Sequence, residues 1–233
     1  MSSYLEKLRA RKRLSGEVPK PPEGKNPAWN LPNILTILRL LAAPGLPLMF
    51  LYFQRPWADW AALTLFILAA ATDWFDGYIA RAWNQQSRFG AAMDPIADKA
   101  MVVIALVVIT GYSGMNPWLI LPVTVILFRE IFVSGLGESL GENASKLAVT
   151  KVAKWKTMTQ MVAISVLFLG TGLAYVEHGR PPLVGEAVLP GELTWSSVAT
   201  GLGLILIWIA AGLTAYTGWD YFRKAMPYLR GPK

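Results

Sequence analysis

Four aspartates within 26 residues carry the clearest chemical signal in the sequence. Asp73 and Asp76 are three residues apart, and Asp94 and Asp98 are four apart, so each pair shares a face if its segment is helical. Carboxylates this close repel one another unless cations lie among them. Hard divalent ions accept such oxygen ligands, and two of them suit phosphoryl transfer. We therefore expect two divalent cations here, with Mg²⁺ as the first candidate and Mn²⁺ as its substitute.

Long apolar segments must position these aspartates. The 233 residues are 54% hydrophobic and only 16% charged, with a mean hydropathy of +0.38, which excludes an ordinary water-soluble domain. The chain has no cysteine, which excludes disulfides and thiolate ligands. We predict an all-α integral membrane protein with six transmembrane helices, each able to cross about 30 Å of hydrocarbon. The predicted spans are residues 31–53, 58–82, 92–113, 117–138, 152–176 and 196–222.

The distribution of basic residues predicts the orientation of these spans. With six spans, both termini and the connections between spans two and three and between spans four and five share one side. Only Arg55 and Arg180 of the 22 Lys and Arg residues then fall on the other side. Cytoplasmic loops carry such an excess of positive charge. The termini and the aspartates are therefore expected at the cytoplasmic face, with the loop 177–194 outside.

The flanking segments divide the chain into three parts. Residues 1–30 form a basic segment followed by a Pro/Gly linker, residues 31–225 the membrane domain, and residues 226–233 a cytoplasmic tail. A short helix lying on the membrane surface and a disordered basic tail both fit the first residues. The basic residues flank apolar runs and form no continuous stripe, so we expect anionic membrane lipids as partners and no nucleic acid.

Two alternative roles for the aspartates stay open on spacing alone. An intramembrane aspartate can serve helix–helix hydrogen bonding or pair with a cation, here Arg81 or Lys99. Four aspartates at compatible spacings disfavour that role. A divalent-cation channel or transporter lined by carboxylates is a function of another class. The clustering of the four carboxylates at one membrane face argues against it, and a tracer flux assay in liposomes would separate it from an enzyme.

The aspartates belong to a longer pattern in residues 73–98, DWFDGYIARAWNQQSRFGAAMDPIAD, which also contains Gly77, Ala80, Arg81 and Gly90. This segment resembles, without a mismatch, the CDP-alcohol phosphotransferase signature D-x2-D-G-x2-A-R-x8-G-x3-D-x3-D. Eight fixed positions make the pattern specific. The resemblance implies a six-helix membrane fold with a polar cavity and a two-metal site open to the cytoplasm, in a protein that forms homodimers.

The resemblance also implies roles for the aspartates. Asp73, Asp76 and Asp94 would bind the metals, while Asp98 would act as general base on the acceptor hydroxyl and also contact a metal. The hydroxyl would then attack the lipid-linked phosphorus, and CMP would leave. No covalent protein intermediate is needed, because proximity and charge neutralisation supply the catalysis.

The remaining signature residues are implied to bind the donor. Gly77 and Ala80 would let the cytidine nucleotide approach the helix, although close helix packing uses the same small residues. Arg81 would pair with the diphosphate of the CDP-lipid. Gly90 is expected to permit the turn into the third span.

A second basic group at the cytoplasmic side restricts the acceptor. Arg39 and Arg129 lie inside apolar spans, and Lys154 and Lys156 begin the fifth span. Such cations suit a phosphate monoester. Positive-inside bias alone accounts for other lysines nearby. We therefore predict that these four residues bind an acceptor phosphate.

Three further segments resemble bacterial phosphatidylglycerophosphate synthases: NLPNILTILRLLAAP, FREIFVSGLGES and VTKVAKWKTMTQMVAI. Glu130 and Thr157 match that pattern, whereas Gly137 and Ala153 replace an expected arginine and glycine. The resemblance implies CDP-diacylglycerol and sn-glycerol 3-phosphate as substrates, phosphatidylglycerophosphate and CMP as products, and a bacterial inner membrane as the location. Serine, an inositol phosphate or another lipid hydroxyl remains open as the acceptor.

Overall fold

A computed structural model of the chain describes residues 31–82, 88–141, 147, 151–179 and 194–229. The predicted basic segment, residues 180–193 of the predicted outer loop 177–194, and residues 230–233 lie outside this part. Within it the secondary structure is helical. The helices are α1 Leu31–Tyr52, α2 Trp57–Ala82, α3 Arg88–Tyr112, α4 Pro117–Leu140, α5 Lys151–His178 and α6 Trp195–Leu229.

The helices follow the predicted spans, and several of them are long and apolar enough to cross a membrane. Four stretches are long and apolar enough: Asn33–Tyr52, Pro117–Leu140, Trp155–His178 and Trp195–Leu229. A shorter apolar stretch, Trp57–Thr72, lies in α2. Large apolar side chains such as Leu51 and Ile131 are exposed on the outside of the bundle. Such surfaces suit hydrocarbon and not water. The all-helical prediction is confirmed for the described residues, and four of the helices could span a membrane.

Helix boundaries follow local chemistry. Asn116 caps α4 by accepting a hydrogen bond from the backbone N–H of Trp118 at 2.8 Å, with Pro117 at the first helical position. The last helix differs from expectation, because α6 ends at Leu229 and not near residue 222. Its 35 residues span about 52 Å, which exceeds a hydrocarbon core of about 30 Å. The added part begins with the charged residues Arg223 and Lys224, and Lys224 Nζ donates to Asp220 at 2.6 Å.

Glycines allow α5 and α6 to pack closely against each other. A Cβ at Gly170 would lie 2.6 Å from Thr200 Oγ1, and a Cβ at Gly203 would lie 2.7 Å from Leu167 Cδ2. Both separations are too short for any other residue without a shift. Small residues at such contacts are the usual means by which membrane helices approach each other.

The apolar core lies between the helices that carry the predicted site. Leu46 of α1, Phe66 of α2, Leu106 of α3 and Phe168 of α5 are almost fully buried together. The ring centroids of Phe66 and Phe168 are 6.1 Å apart. Since α1 packs against both α2 and α3, this core fixes the relative positions of the helices that carry the predicted aspartates.

At the opposite end of these helices, Arg55 contacts residues of four helices. Its guanidinium forms an ion pair with the fully buried Asp59. It also lies over the rings of Phe50, Tyr112 and Tyr175, at 5.1, 5.1 and 4.7 Å from their centroids. These contacts combine a buried ion pair with cation–π interactions. They join α1, α2, α3 and α5 at the end far from the predicted site.

Candidate functional site

Two contacts join α1 to α3 at the predicted metal ligand Asp94 and the predicted base Asp98. Thr36 Oγ1 donates a hydrogen bond to Asp94 Oδ1 at 2.5 Å. One turn later, Arg39 Nη1 donates to Asp98 Oδ1 at 2.6 Å. The residue numbers increase in the same direction on both helices, so α1 and α3 run parallel. The two helices therefore begin on the same side of the bundle, as the predicted topology requires.

The Arg39–Asp98 pair has one closed side and one open side. The Arg39 side chain is 2% exposed, whereas that of Asp98 is 34% exposed. The Asp98 carboxylate is therefore accessible from outside the bundle, while Arg39 binds this carboxylate from the protein interior. Apolar side chains complete the closed side, and the small cavity there is lined by Arg39, Asp98, Phe66, Ala69, Ala70, Met101 and Met161.

The other half of the predicted carboxylate cluster belongs to α2. The backbone of Asp73 and Asp76 lies in this helix, but the side chains of residues 73–82 lie outside the part that the structure describes. The same holds for the predicted donor contacts Gly77, Ala80 and Arg81. Convergence of all four carboxylates therefore stays a prediction. It requires α2 and α3 to face each other, and both pack against α1.

The described half of the cluster has the chemistry that divalent cations require. Asp94 and Asp98 are carboxylates one helical turn apart, and both are partly exposed. Among the residues with described side chains, no group of three or more His, Asp and Glu forms a metal site by itself. Any such site must therefore draw on further ligands. Oxygen donors of this kind fit Mg²⁺ or Mn²⁺.

A second charged cluster lies where α4 meets α5. Lys156 Nζ donates to Glu130 Oε1, and Arg129 Nη1 donates to the same oxygen at 3.2 Å. Lys156 is buried, while Arg129 and Glu130 are half-buried. One carboxylate thus holds two of the predicted phosphate contacts side by side. Lys154 belongs to the first turn of α5, but its side chain is not described.

The Arg129 side chain packs closely against α6 at Gly218. The structure leaves no space for a larger residue at Gly218, where a Cβ would lie 2.7 Å from Arg129 Cγ. The glycine lets the arginine stem cross the helix surface. Because Cγ is close to the backbone, Arg129 could not avoid an added methyl group by moving only its guanidinium.

Lys99 connects this cluster to the helix of Asp98. Its Nζ donates to Ser134 Oγ at 2.6 Å. Ser134 Oγ in turn donates to the backbone carbonyl of Glu130 at 2.7 Å. The cations on α4 and α5 and the carboxylates on α3 therefore belong to one end of the bundle.

Several of these contributors cannot be identified from the sequence. Thr36, Ser134 and Gly218 carry no pattern that distinguishes them from ordinary helix residues. Lys99 is predicted by its sequence position only as a partner for an aspartate. A charged residue inside an apolar span is the one usable signal, and it applies to Lys99 as it does to Arg129.

The site and its fold match a known family. The CDP-alcohol phosphatidyltransferase family model matches residues 29–216. The chain is 68% identical over 219 residues to a Cereibacter sphaeroides protein, covering 88% of this chain and 99% of that protein. It is 43% identical over 199 residues to an Escherichia coli protein, covering 84% and 95%. A Pseudomonas fluorescens protein is 39% identical over 204 residues, covering 86% and 92%.

Each of these three relatives is named CDP-diacylglycerol--glycerol-3-phosphate 3-phosphatidyltransferase. The family match covers the signature segment of α2 and α3 together with the basic residues of α4 and α5. Family resemblance, helical architecture and the placement of the described site residues therefore agree. This chain belongs to the CDP-alcohol phosphatidyltransferase family.

Proposed function

We propose that this protein transfers the phosphatidyl group of CDP-diacylglycerol to sn-glycerol 3-phosphate, giving phosphatidylglycerophosphate and CMP. The observation that carries the proposal is the 68% identity to a relative named for this reaction, along 99% of that relative. The paired cations on α4 and α5 support the choice of a phosphorylated acceptor, because they lie at the same end of the bundle as Asp98.

The donor and two divalent cations are assigned to α2 and α3. When bound, the cations would stabilise the negative charge that develops on the phosphoryl oxygens and on the departing CMP. Arg81 would pair with the diphosphate, and Gly77 and Ala80 would leave room for the cytidine. The residues proposed to hold the cations are Asp73, Asp76, Asp94 and Asp98.

Asp98 is proposed as the general base. It accepts the proton of the acceptor hydroxyl, whose oxygen bonds to the lipid-linked phosphorus while the bond from phosphorus to the CMP oxygen breaks. Its partly exposed carboxylate is accessible for this task. Arg39 was predicted as a phosphate contact, but its near-complete burial and its hydrogen bond to Asp98 favour another task. We assign Arg39 the orientation of Asp98.

The acceptor phosphate is assigned to Arg129, Lys154 and Lys156. Charge-assisted bonds from such groups bind phosphate strongly. Glu130 holds Arg129 and Lys156 together, so their side chains are ordered before the acceptor arrives. Pre-ordering reduces the entropy lost on binding.

The membrane arrangement is part of the proposal. Residues 31–225 would form a six-span domain of an inner-membrane protein, with both termini and a polar cavity on the cytoplasmic side. The parallel course of α1 and α3 supports this topology. The basic residues 1–30 would contact anionic lipids, and residues 226–233 would extend into the cytoplasm. Exposed apolar residues of the bundle are compatible with a homodimer.

An acceptor panel tests the proposed reaction. The purified protein, CDP-diacylglycerol and Mg²⁺ are incubated separately with equal concentrations of glycerol 3-phosphate, glycerol, serine and an inositol phosphate. We expect phosphatidylglycerophosphate as the main lipid product, and a collapse of turnover in the Asp98→Asn variant with CDP-diacylglycerol binding retained. Greater product formation from any other acceptor would reject the assignment.

A further inference from the structure

Lys99 is a cation near the site that has no role in the proposed reaction described above. It follows Asp98 directly in α3 and is exposed. It lies eleven residues after the start of the helix at Arg88, about 16 Å along the axis. Lysines that only reflect positive-inside bias lie in loops and helix ends. An exposed ammonium within an apolar helix normally faces a polar cavity or a functional partner.

Contacts with α4 direct Lys99 toward the charged cluster of Arg129, Glu130 and Lys156. Lys99 Nζ bonds to Ser134 Oγ at 2.6 Å, one turn beyond Glu130. Its charge is also close enough to act on both Glu130 and Lys156. The lysine is therefore held beside α4 and does not extend along the outer surface of α3.

Charge in this group is not balanced. Arg129, Lys156 and Lys99 carry three positive charges, and Glu130 carries one negative charge. Glu130 already accepts from Lys156 and Arg129 through the same oxygen. These four side chains therefore carry a net charge of +2, which suits a phosphate monoester that is largely dianionic at neutral pH.

We propose that Lys99 is a further contact for the acceptor phosphate and helps to select a phosphorylated acceptor. This inference rests on the proposed reaction. It gives α3 two adjacent functions, with Asp98 at the acceptor hydroxyl and Lys99 at the acceptor phosphate. Because both side chains come from one helix, the backbone fixes their positions relative to each other.

Replacement of Lys99 tests this inference through the two KM values. We expect Lys99→Met to raise the KM for glycerol 3-phosphate about tenfold, as loss of one charge-assisted contact implies. The KM for CDP-diacylglycerol and kcat should stay within about twofold of the unmodified protein. Lys99→Arg should retain most of the affinity, and inorganic phosphate should inhibit Lys99→Met more weakly than the unmodified protein.

Lys224→Met provides the matched control. Lys224 is a cation on α6 that pairs with Asp220 and has no assigned role in the site, so its loss should leave both KM values unchanged. Ser134→Ala, which removes the tether of Lys99 without removing a charge, should raise the acceptor KM by a smaller factor. All variants are compared after gel filtration shows intact protein.

Three results would overturn the role of Lys99: an unchanged acceptor KM in Lys99→Met, a fall in kcat alone, or an equal effect in Lys224→Met. In each of these cases glycerol 3-phosphate would still be used by the unmodified protein, so the proposed reaction would stand. If the unmodified protein does not use glycerol 3-phosphate, the reaction and this inference fail together.

Discussion

Replacing Arg39 by methionine separates orientation of the base from binding of phosphate. The substitution keeps much of the side-chain stem and removes the guanidinium that donates to Asp98 at 2.6 Å. A hydrogen bond between charged groups contributes about 1.5 to 3 kcal/mol. Because about 1.4 kcal/mol corresponds to a tenfold change in rate, kcat should fall about 10- to 150-fold.

The two KM values decide between the roles. If Arg39 orients Asp98, it does not contact the acceptor phosphate. The KM for glycerol 3-phosphate should then change less than about threefold, which corresponds to about 0.6 kcal/mol of binding free energy. Arg39→Lys retains the charge but not the planar donor geometry, so it should give an intermediate kcat. Arg223→Met, which removes an exposed arginine of α6, is the control and should leave turnover unchanged.

Steady-state assays on protein shown to be folded by thermal unfolding and gel filtration provide these values. A rise of tenfold or more in the acceptor KM, with kcat unchanged, would refute the orientation role. It would return Arg39 to the phosphate pocket that its charge and position in the sequence first indicated. Unchanged kinetics would show that the pair with Asp98 has no role in turnover.

Two further substitutions and one treatment should give defined results. Gly218→Ala places a methyl group against Arg129 Cγ, so the KM for glycerol 3-phosphate should rise about three- to tenfold, consistent with an overpacking cost of about 1 kcal/mol. Gly212→Ala on the same helix, where a Cβ meets nothing within 4 Å, should have no effect, and equal kinetics in the two variants would contradict the prediction. Asp59→Asn leaves the charge of Arg55 without its counter-ion and should lower the Tm by about 10 °C, since breaking a buried pair costs about 3 to 5 kcal/mol. Adding Arg55→Met should recover part of that loss, and an unchanged Tm in the single variant would refute the role of the pair. Chelation with EDTA should abolish turnover, and added Mg²⁺ or Mn²⁺ should restore it; activity that persists in EDTA would exclude a divalent-cation requirement.

The apolar pattern predicted the positions of the helices because each span must be long enough to cross hydrocarbon. The end of α6 could not be found this way. Asp220 and Lys224 are charged, which marks the end of an apolar run, yet their pairing four residues apart supports further helix. Hydropathy therefore locates the membrane boundary and not the helix end.

The spacing of Asp94 and Asp98 predicted their shared helix face, but not the residues that hold them. Thr36 and Arg39 come from α1, 58 and 59 residues away. The charge of Arg39 indicates an anionic partner, and a phosphate and a carboxylate fit that requirement equally. Only the packing of α1 on α3 identifies the carboxylate. Contacts between distant helices depend on tertiary packing, which residue spacing within one segment does not encode.

A similar limit applies to the basic cluster. Arg129 was recognisable because a charge inside an apolar helix usually has a functional partner, and Lys156 because it lies with Lys154 at the start of the fifth span. The carboxylate of Glu130 that joins them was recognisable only as part of a family pattern. Gly218 carried no signal at all, since a glycine in a membrane helix usually indicates close packing.

Transfer of labelled glycerol 3-phosphate into lipid is the decisive measurement for the proposed reaction. The purified protein in lipid vesicles is given CDP-diacylglycerol, Mg²⁺ and glycerol 3-phosphate carrying ³²P, and both CMP and lipid-bound label are quantified. We predict one CMP for each labelled phosphatidylglycerophosphate, and no CMP when the acceptor is omitted. CMP release without label in the lipid, or equal release without the acceptor, would contradict phosphatidyl transfer to glycerol 3-phosphate.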